Sequence, residues 1–165
     1  MKQDEITEKL NEFALPAWNE IPDVGLYLDQ VTKYVNSYLA GWPGMDLTGS
    51  MVSNYVKLKI LPRATKKMYS RSLIAGIFFI ATSKLVLSMD QIRKCLSEHD
   101  YFCLSEEGYE LFRSELVAVI KSFNVNAAYK TDPKKSEEEK MLRTIDIALA
   151  HKMYLDQYFL EETDK

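Results

Sequence analysis

The chain has 165 residues, of which 47% are hydrophobic and 27% charged, and its formal net charge at pH 7 is −3. This length suits one packed domain, and the hydrophobic content excludes a disordered chain. Two cysteines are too few for a secreted disulfide scaffold, and the longest apolar run, residues 73–81, is too short to span a bilayer. The N-terminus has no apolar stretch of the kind that directs secretion. We therefore expect a cytoplasmic protein with no membrane partner.

The charge is distributed unevenly along the chain. Residues 47–97 carry nine Lys or Arg and one acid, a local charge of +8, whereas residues 1–46 carry −5 and residues 98–165 carry −6. A basic block between acidic flanks is typical of a protein that places one face on a polyanion. The basic block is therefore the first candidate for a functional surface.

Helical periodicity dominates the first third of the chain. A short amphipathic helix is predicted over residues 4–14, and a longer helix is predicted to begin at Asp23. The sequence GWPGMD over residues 41–46 is typical of a loop. Thr48 is the expected N-cap of a helix over residues 48–58.

The pattern changes after this helix. Pro62 prevents the helix from continuing, and residues 60–63 and 67–70 are short extended pieces joined by residues 64–66. We therefore predict a small two-stranded β-hairpin over residues 60–70, the only strands in an otherwise all-α protein.

Helices are predicted again over the rest of the chain. Residues 71–87 form a buried helix, and Ser88 with Gln91 forms a capping box for the helix that follows. Residues 105–123 predict a helix with an apolar seam of Tyr109, Phe112, Leu116, Val119 and Phe123. A second capping box at Ser136 begins a last helix with apolar residues on two faces. These two helices predict a C-terminal helical hairpin.

The basic block contains a surface suited to DNA. The helix over residues 48–58 has one polar face, made of Ser50, Ser53, Asn54 and Lys57. Asparagine pairs bidentately with adenine in the major groove, and basic side chains beside such a helix hold the phosphate backbone. The complete predicted set of DNA-binding residues is Ser50, Ser53, Asn54, Lys57, Lys59, Arg63, Lys66, Lys67, Tyr69 and Arg71. Tyr69 is expected to pack first and to contact phosphate second.

The order helix, loop, helix, basic hairpin and helix resembles a MerR-like winged helix-turn-helix. That family typically has L-R-Y-Y-E-x-x-G-L-L, then P-x-R, and a wing that closes in Y-R-x-Y-S. This chain has VSNYVKLKIL over residues 52–61, then Pro62 and Arg63, and KKMYS over residues 66–70. The resemblance implies a recognition helix over residues 48–58 and a basic wing over residues 60–70. Lys59 replaces the glycine of the pattern, so we expect this helix to end differently.

A second resemblance covers most of the N-terminal two-thirds of the chain. The lead-in LPAWNEIPDVGLYLDQV over residues 15–31, together with LTGSMVSNYVKLKILP and KKMYS, is similar to the bacterial family called domain of unknown function 1836. The resemblance implies a sequence-specific DNA-binding transcriptional regulator that binds double-stranded DNA.

Other functions are less well supported by the sequence. Cys95, His99 and Cys103 are the only grouping of metal-ligand types, and they lack a fourth ligand, so neither a metal site nor a cofactor is predicted. No phosphate-binding loop or catalytic motif occurs, so an enzyme is not expected. The main alternative is a helical protein–protein adaptor whose basic face binds an acidic partner.

The C-terminal part leaves its role open. We predict an N-terminal DNA-binding region over residues 1–98 and a C-terminal dimerisation or effector region over residues 99–165, or one compact domain containing both. Its aromatic residues either line a pocket for an unidentified small-molecule effector or form core and interface. Because one short recognition helix reads only a few base pairs, we predict a homodimer joined through the C-terminal helices. The alternative is that these two helices only complete the core of a monomer.

Overall fold

The protein is helical, as predicted. A computed structural model describes residues 2–124, 126, 128–130 and 132–163, with side chains through residue 160. Within these residues there are seven α-helices, two short 3₁₀ helices and no β-strand. The α-helices are α1 (Lys2–Leu10), α2 (Leu28–Leu39), α3 (Gly49–Lys57), α4 (Arg71–Ser83), α5 (Met89–Glu98), α6 (Glu106–Lys121) and α7 (Glu137–Thr163). The 3₁₀ helices are Trp18–Glu20 and Phe102–Leu104.

Helix α4 forms the centre of the fold. Every residue from 73 to 83 is buried, and α4 contacts α2, α6 and α7. The hydroxyls of Thr82 and Ser83 are buried with it, and they donate hydrogen bonds to main-chain carbonyl oxygens one turn earlier. Because its polar groups are satisfied within the helix, α4 can be surrounded by apolar neighbours on all sides.

The predicted caps are confirmed. The side-chain oxygen of Thr48 accepts a hydrogen bond from the N–H of Met51, and Ser88 forms a capping box with Gln91. Three predicted boundaries are wrong. Helix α1 ends at Leu10, before residue 14. Helix α2 begins at Leu28 rather than at Asp23, because the intervening chain is extended and pairs with another segment. Helix α4 ends at Ser83, before residue 87.

The predicted two-stranded wing is not formed. Thr65 and Met68 make one isolated antiparallel bridge, in which the Met68 N–H donates to the Thr65 carbonyl oxygen at 2.9 Å. Tyr69 instead exchanges two main-chain hydrogen bonds with Leu26, at 3.1 and 2.7 Å. Pro62 has no N–H to continue a ladder, and the outward main-chain groups of Tyr69 bind the segment that leads into α2.

Buried side chains of both predicted regions belong to one hydrophobic core. Helix α1 packs on α7, and the Tyr109 hydroxyl of α6 donates to the Pro16 carbonyl oxygen at 2.6 Å. The predicted seam lies inside this core, because Tyr109, Phe112, Leu116, Val119 and Phe123 are each at most 5% exposed. No helix in the described parts of the chain is long and apolar enough to cross a membrane.

Candidate nucleic-acid interface

Helix α3 separates an apolar face from a polar face. Val52 and Tyr55 are buried against the core, while Ser50, Ser53, Asn54 and Lys57 are all exposed. The spacing of these residues explains the separation, because residues three and four apart share one side of a helix. The four residues predicted to face a DNA groove therefore share one solvent-facing surface.

A side-chain bridge fixes α3 relative to α2. The Asn36 side chain of α2 donates to the Leu47 carbonyl oxygen at 2.8 Å and accepts from the Leu47 N–H at 2.9 Å. The connection also buries Trp42 and Met45. Because both main-chain groups of Leu47 are held, the loop enters α3 in one orientation although it is longer than a usual helix-turn-helix turn.

Lys59 adopts the backbone conformation that glycine favours, so our expectation of a different helix end is wrong. Its φ angle is 58°, in the left-handed region. The Lys59 N–H donates to the Val56 carbonyl oxygen at 3.0 Å, and the Ile60 N–H donates to the Tyr55 carbonyl oxygen at 2.9 Å. This pair of bonds is a Schellman motif, with Ile60 and Tyr55 as its apolar contact. The helix therefore ends as the glycine-containing pattern does, with a lysine in the glycine's position.

Two further lysines occupy left-handed positions at the tip of the basic segment. Lys66 and Lys67 have φ angles of 52° and 62°, between the bridged residues Thr65 and Met68. Positive φ at both central residues is the signature of a type I′ turn, which usually contains Asn or Gly. We call residues 65–68 the basic turn. It presents two ammonium groups at an exposed tip.

Two shallow depressions connect the basic segment to α3. One, of about 350 Å³, is lined by Leu28, Ser53, Val56, Arg63, Ala64, Lys67 and Tyr69. The other, of about 480 Å³, includes Lys57, Lys59 and Arg63 in its lining. Arg63 lies in both, so the end of α3 and the basic turn form one continuous surface. Ser50 and Asn54 lie on α3 outside these depressions.

Five basic side chains of this surface are unpaired. Among the described residues, no ion pair or side-chain hydrogen bond involves Lys57, Lys59, Arg63, Lys66 or Lys67. By contrast, Arg93 and Lys94 both pair with Asp90 on α5. Within the basic block, residues 47–97, the unpaired positive charge therefore lies on α3 and on the segment that follows it.

Arg71 and Lys84 are held by intramolecular contacts. The Arg71 Nε donates to the Ile21 carbonyl oxygen at 2.8 Å, and its guanidinium lies 3.9 Å from the Asp23 carboxylate. The Lys84 ammonium donates to the Asp46 carbonyl oxygen at 3.3 Å, and burial lowers its pKa although Asp46 opposes the shift. Arg71 thus holds the lead-in segment, and Lys84 holds the loop before α3.

Tyr69 is 7% exposed, and burial raises the pKa of its phenol. Tyr55 is 3% exposed and its pKa is raised for the same reason. Both rings pack beneath the basic surface, which agrees with the packing role that we expected first for Tyr69.

One basic residue near this surface was not among the DNA-binding residues predicted from the sequence. Lys33 of α2 lines a depression of about 630 Å³ together with Gly49 and Lys67. It lies outside the basic block, in an acidic stretch of sequence, so charge counting gave no signal for it. Its position on the helix before α3 could have suggested it, since that helix crosses the backbone in helix-turn-helix proteins.

The cysteine and histidine side chains contact other groups of the chain. The Cys95 sulfur lies 3.8 Å from the Met141 sulfur, His99 Nδ1 lies 3.3 Å from a Glu138 carboxylate oxygen, and Cys103 is buried. Burial raises the pKa of Cys95 to about 11. No cluster of three or more metal-ligand side chains occurs within the described residues.

A family model described as a domain of unknown function (DUF1836) matches residues 16–115. No curated protein and no solved structure matches the chain. The matched range begins in the lead-in segment that Arg71 and Tyr109 hold, includes α3 and the basic turn, and ends within α6. More than half of the chain is matched, and the match confirms the resemblance of the lead-in and α3 motifs. The chain therefore belongs to the family of domain of unknown function 1836.

Proposed function

We propose that the protein is a non-enzymatic transcriptional regulator that binds double-stranded DNA through α3 and the basic turn. In this proposal Ser50, Ser53, Asn54 and Lys57 face base edges in the major groove. The unpaired side chains of Lys59, Arg63, Lys66 and Lys67 contact backbone phosphates. Such phosphate contacts position a protein on DNA, while the helix face reads sequence.

The observation that carries the proposal is the occupation of strained positions by lysine. Lys59, Lys66 and Lys67 all have φ between 52° and 62°, where a non-glycine residue costs about 1–2 kcal/mol. Strain of this kind often marks a functional constraint, and each of these three lysines carries an exposed, unpaired positive charge. The other two non-glycine residues with positive φ in the described chain, Asp100 and Tyr101, lie together at the turn after α5. Glycine or asparagine would relieve the strain and remove the charge, which supports a requirement for the charge itself.

The resemblance to a MerR-like winged helix-turn-helix gives each element a part in this proposal. We assign α2 and α3 the part of a helix-turn-helix, with the Asn36 bridge in place of a short turn. Residues 60–70 act as a reduced wing in which only the basic turn is hairpin-like. Arg71 and Tyr69 then support this surface from beneath, because their polar and apolar contacts are made within the chain.

The experiment that tests the proposal is the salt dependence of binding to random duplex DNA, measured by fluorescence anisotropy. A surface that neutralises about four to six phosphates gives a logarithmic slope of about −4 to −5 against salt concentration. Absence of binding even at low salt would reject the regulator and favour the adaptor that meets an acidic protein partner.

Regulators with one short recognition helix usually bind two half-sites, so we also propose a homodimer. The seam of α6 cannot supply the interface, since it is buried within one chain. The interface must therefore come from another surface.

A further inference from the structure

A pocket and two protruding apolar side chains lie along the same helix. The pocket, of about 460 Å³, lies between α5 and α7, and its apolar lining includes Cys95, Met141 and Ile145. Leu155 and Phe159, farther along α7, are 47% and 59% exposed. Large exposed apolar side chains on one face commonly mark an interaction surface.

The pocket and the exposed side chains of Leu155 and Phe159 lie on the same side of α7. At 3.6 residues per turn, Thr144, Ala148, Leu155 and Phe159 lie within about 60° of one another around the helix. Thr144 and Ala148 line the pocket, and their small side chains leave space at the N-terminal half of this face. The C-terminal half carries the two large side chains, and the centres of the two halves are about 16 Å apart along the helix axis.

We propose that α7 packs antiparallel against α7 of a second copy of this chain, with the partner's Leu155 and the partner's Phe159 filling the pocket. A two-fold axis between residues 151 and 152 places Ala148 opposite the partner's Leu155. The same axis places Thr144 opposite the partner's Phe159. A small side chain then faces a large one in these two layers on each side of the axis, whereas His151 and Lys152 lie at the axis itself. The two-fold symmetry fills both pockets at once.

Charges around the pocket favour an apolar partner over a charged small molecule. Lys94 on the rim lies 3.3 Å from Asp90, and His99 Nδ1 lies 3.3 Å from a Glu138 carboxylate oxygen, so both side chains contact acids of their own chain. Glu98 also lines the pocket. Near the two-fold axis, Lys152 is bonded to Asp156. The surface therefore presents apolar contact without an unpaired lysine at its centre.

The exposed face of α7 supplies about half of the area that a standard dimer interface buries on each partner. Helix α7 has 27 residues, so it is about 40 Å long and about 10 Å wide, and its face alone offers about 400 Å². A standard interface needs about 800 Å² from each partner. The wall of the pocket on α5, which the partner's side chains enter, contributes to the remainder. The α7 part of this surface lies outside residues 16–115, whereas the pocket wall on α5 lies inside them.

The first test is sedimentation equilibrium of the purified chain at micromolar concentration without DNA. The wild-type chain is expected to be a dimer, and Phe159→Lys is expected to raise the dissociation constant by about 30-fold or more. Val24→Lys, at an apolar residue that is 67% exposed outside α7, is the matched control and should dissociate like wild type. Circular dichroism checks that all three fold, since both altered positions are exposed.

A wild-type monomer, or a Phe159→Lys dimer as tight as wild type, would overturn the inference. The inference gives the proposed homodimer its interface. Because no DNA is present, its failure leaves the DNA-binding proposal unaffected.

The second test determines the orientation of the helices. Ala148→Cys and Leu155→Cys are purified separately, mixed and oxidised, with the wild-type chain, which keeps Cys95 and Cys103, as control. Antiparallel packing predicts a disulfide-linked dimer in the mixture and little in either variant alone. Cross-linking of each variant with itself would indicate parallel helices and reject this arrangement.

Discussion

At the scale of single residues, three lysines have a left-handed backbone conformation. At these positions the effect of backbone strain on stability can be measured apart from the effect of the lysine charge on DNA binding. Glycine at Lys59, Lys66 or Lys67 would keep the same turn geometry without a Cβ clash. Selection for stability alone would favour glycine at each position. These residues therefore allow the proposed function to be tested by changes that are expected to leave the fold intact.

We expect Lys67→Gly to stabilise the protein and to weaken DNA binding. Relief of left-handed strain, less the greater backbone entropy of glycine, should raise the free energy of unfolding by about 0.5–1 kcal/mol. Loss of one phosphate contact should flatten the logarithmic salt slope by about 1 for all sequences alike. Urea unfolding and anisotropy measure the two effects, and Lys67→Arg is the control that keeps charge and strain. Equal DNA affinity for Lys67→Gly and wild type would count against the basic turn as a phosphate contact.

Asn54 is expected to act on specificity instead. Replacing it by Ala should weaken binding to the preferred site by about 1–3 kcal/mol and leave binding to random DNA nearly unchanged. Asn11→Ala, at an exposed asparagine just after α1, is the control. Competition binding after site selection measures the difference, and an unaltered preference would show that another face of α3 reads the bases.

Asp146 on α7 gives a prediction about pH. Its carboxylate is fully buried with no hydrogen-bond partner for either oxygen, and a Glu115 oxygen is buried in the same state. Burial, followed by repulsion from Glu115, holds the pKa of Asp146 well above its usual value, with Arg143 opposing.

Because the folded state binds this proton more tightly than the unfolded state, stability should fall as pH rises above the unfolded pKa of about 4, towards the folded pKa. The slope from one such group is at most about 1.4 kcal/mol per pH unit. Asp146→Asn should flatten the dependence between pH 5 and pH 8 in urea unfolding, while Glu8→Gln, at an exposed acid of α1, should not. An unchanged slope in Asp146→Asn would show that the carboxyl is already ionised in the folded protein.

At the scale of elements, the junction between the second 3₁₀ helix and α6 leaves the least space for a side chain at any glycine of the chain. A Cβ placed on Gly108 would lie 1.9 Å from the Phe102 carbonyl oxygen. Gly108→Ala should therefore destabilise the protein by about 3 kcal/mol or more, since backbone must move. Gly49→Ala in α3, where the nearest atom is 3.5 Å away, is the control and should be neutral or slightly stabilising. Urea unfolding compares them, and equal stabilities would show that the join can relax.

Element prediction succeeded where the signal was local. Thr48 and Ser88 marked helix starts because a cap and its bonded N–H lie within one turn of sequence. The hairpin failed because its outcome depends on Leu26, which is distant in sequence from Tyr69 and competes for its main-chain groups. The prediction for the end of α3 was wrong for another reason. We expected Lys59 to avoid the left-handed conformation, which the hydrogen bonds of the Schellman motif stabilise.

At the scale of the whole molecule, the positive charge of the candidate site could be predicted from the sequence, but the contacts of its individual basic side chains could not. Counting charged residues located the basic block. It could not show that Arg71 and Lys84 bind main-chain carbonyl oxygens, because such contacts leave no pattern in the sequence. Nor could it show Lys33 beside the same surface. The unpaired set is recognisable only after the ion pairs of the folded chain are known.

The family-matched segment is not expected to fold alone. A fragment of residues 16–115 lacks α1 and α7 and ends within α6, so it loses the packing of α6 against α7 that the whole chain has. We expect it to unfold without cooperativity in a thermal scan followed by circular dichroism, whereas residues 2–160 should show one transition. A cooperative transition of the shorter fragment would instead support separate N-terminal and C-terminal domains.

The packing of α1 on α7 has a consequence for the order of events during synthesis. Ile6 and Leu10 leave the ribosome well before α7, the helix on which α1 packs, which begins more than a hundred residues later in the sequence. Until then the apolar face of α1 lacks this partner, and contacts so far apart in sequence form slowly. The growing chain therefore carries an apolar helix face without its partner until α7 is made, and chaperones that bind nascent polypeptides can bind this face.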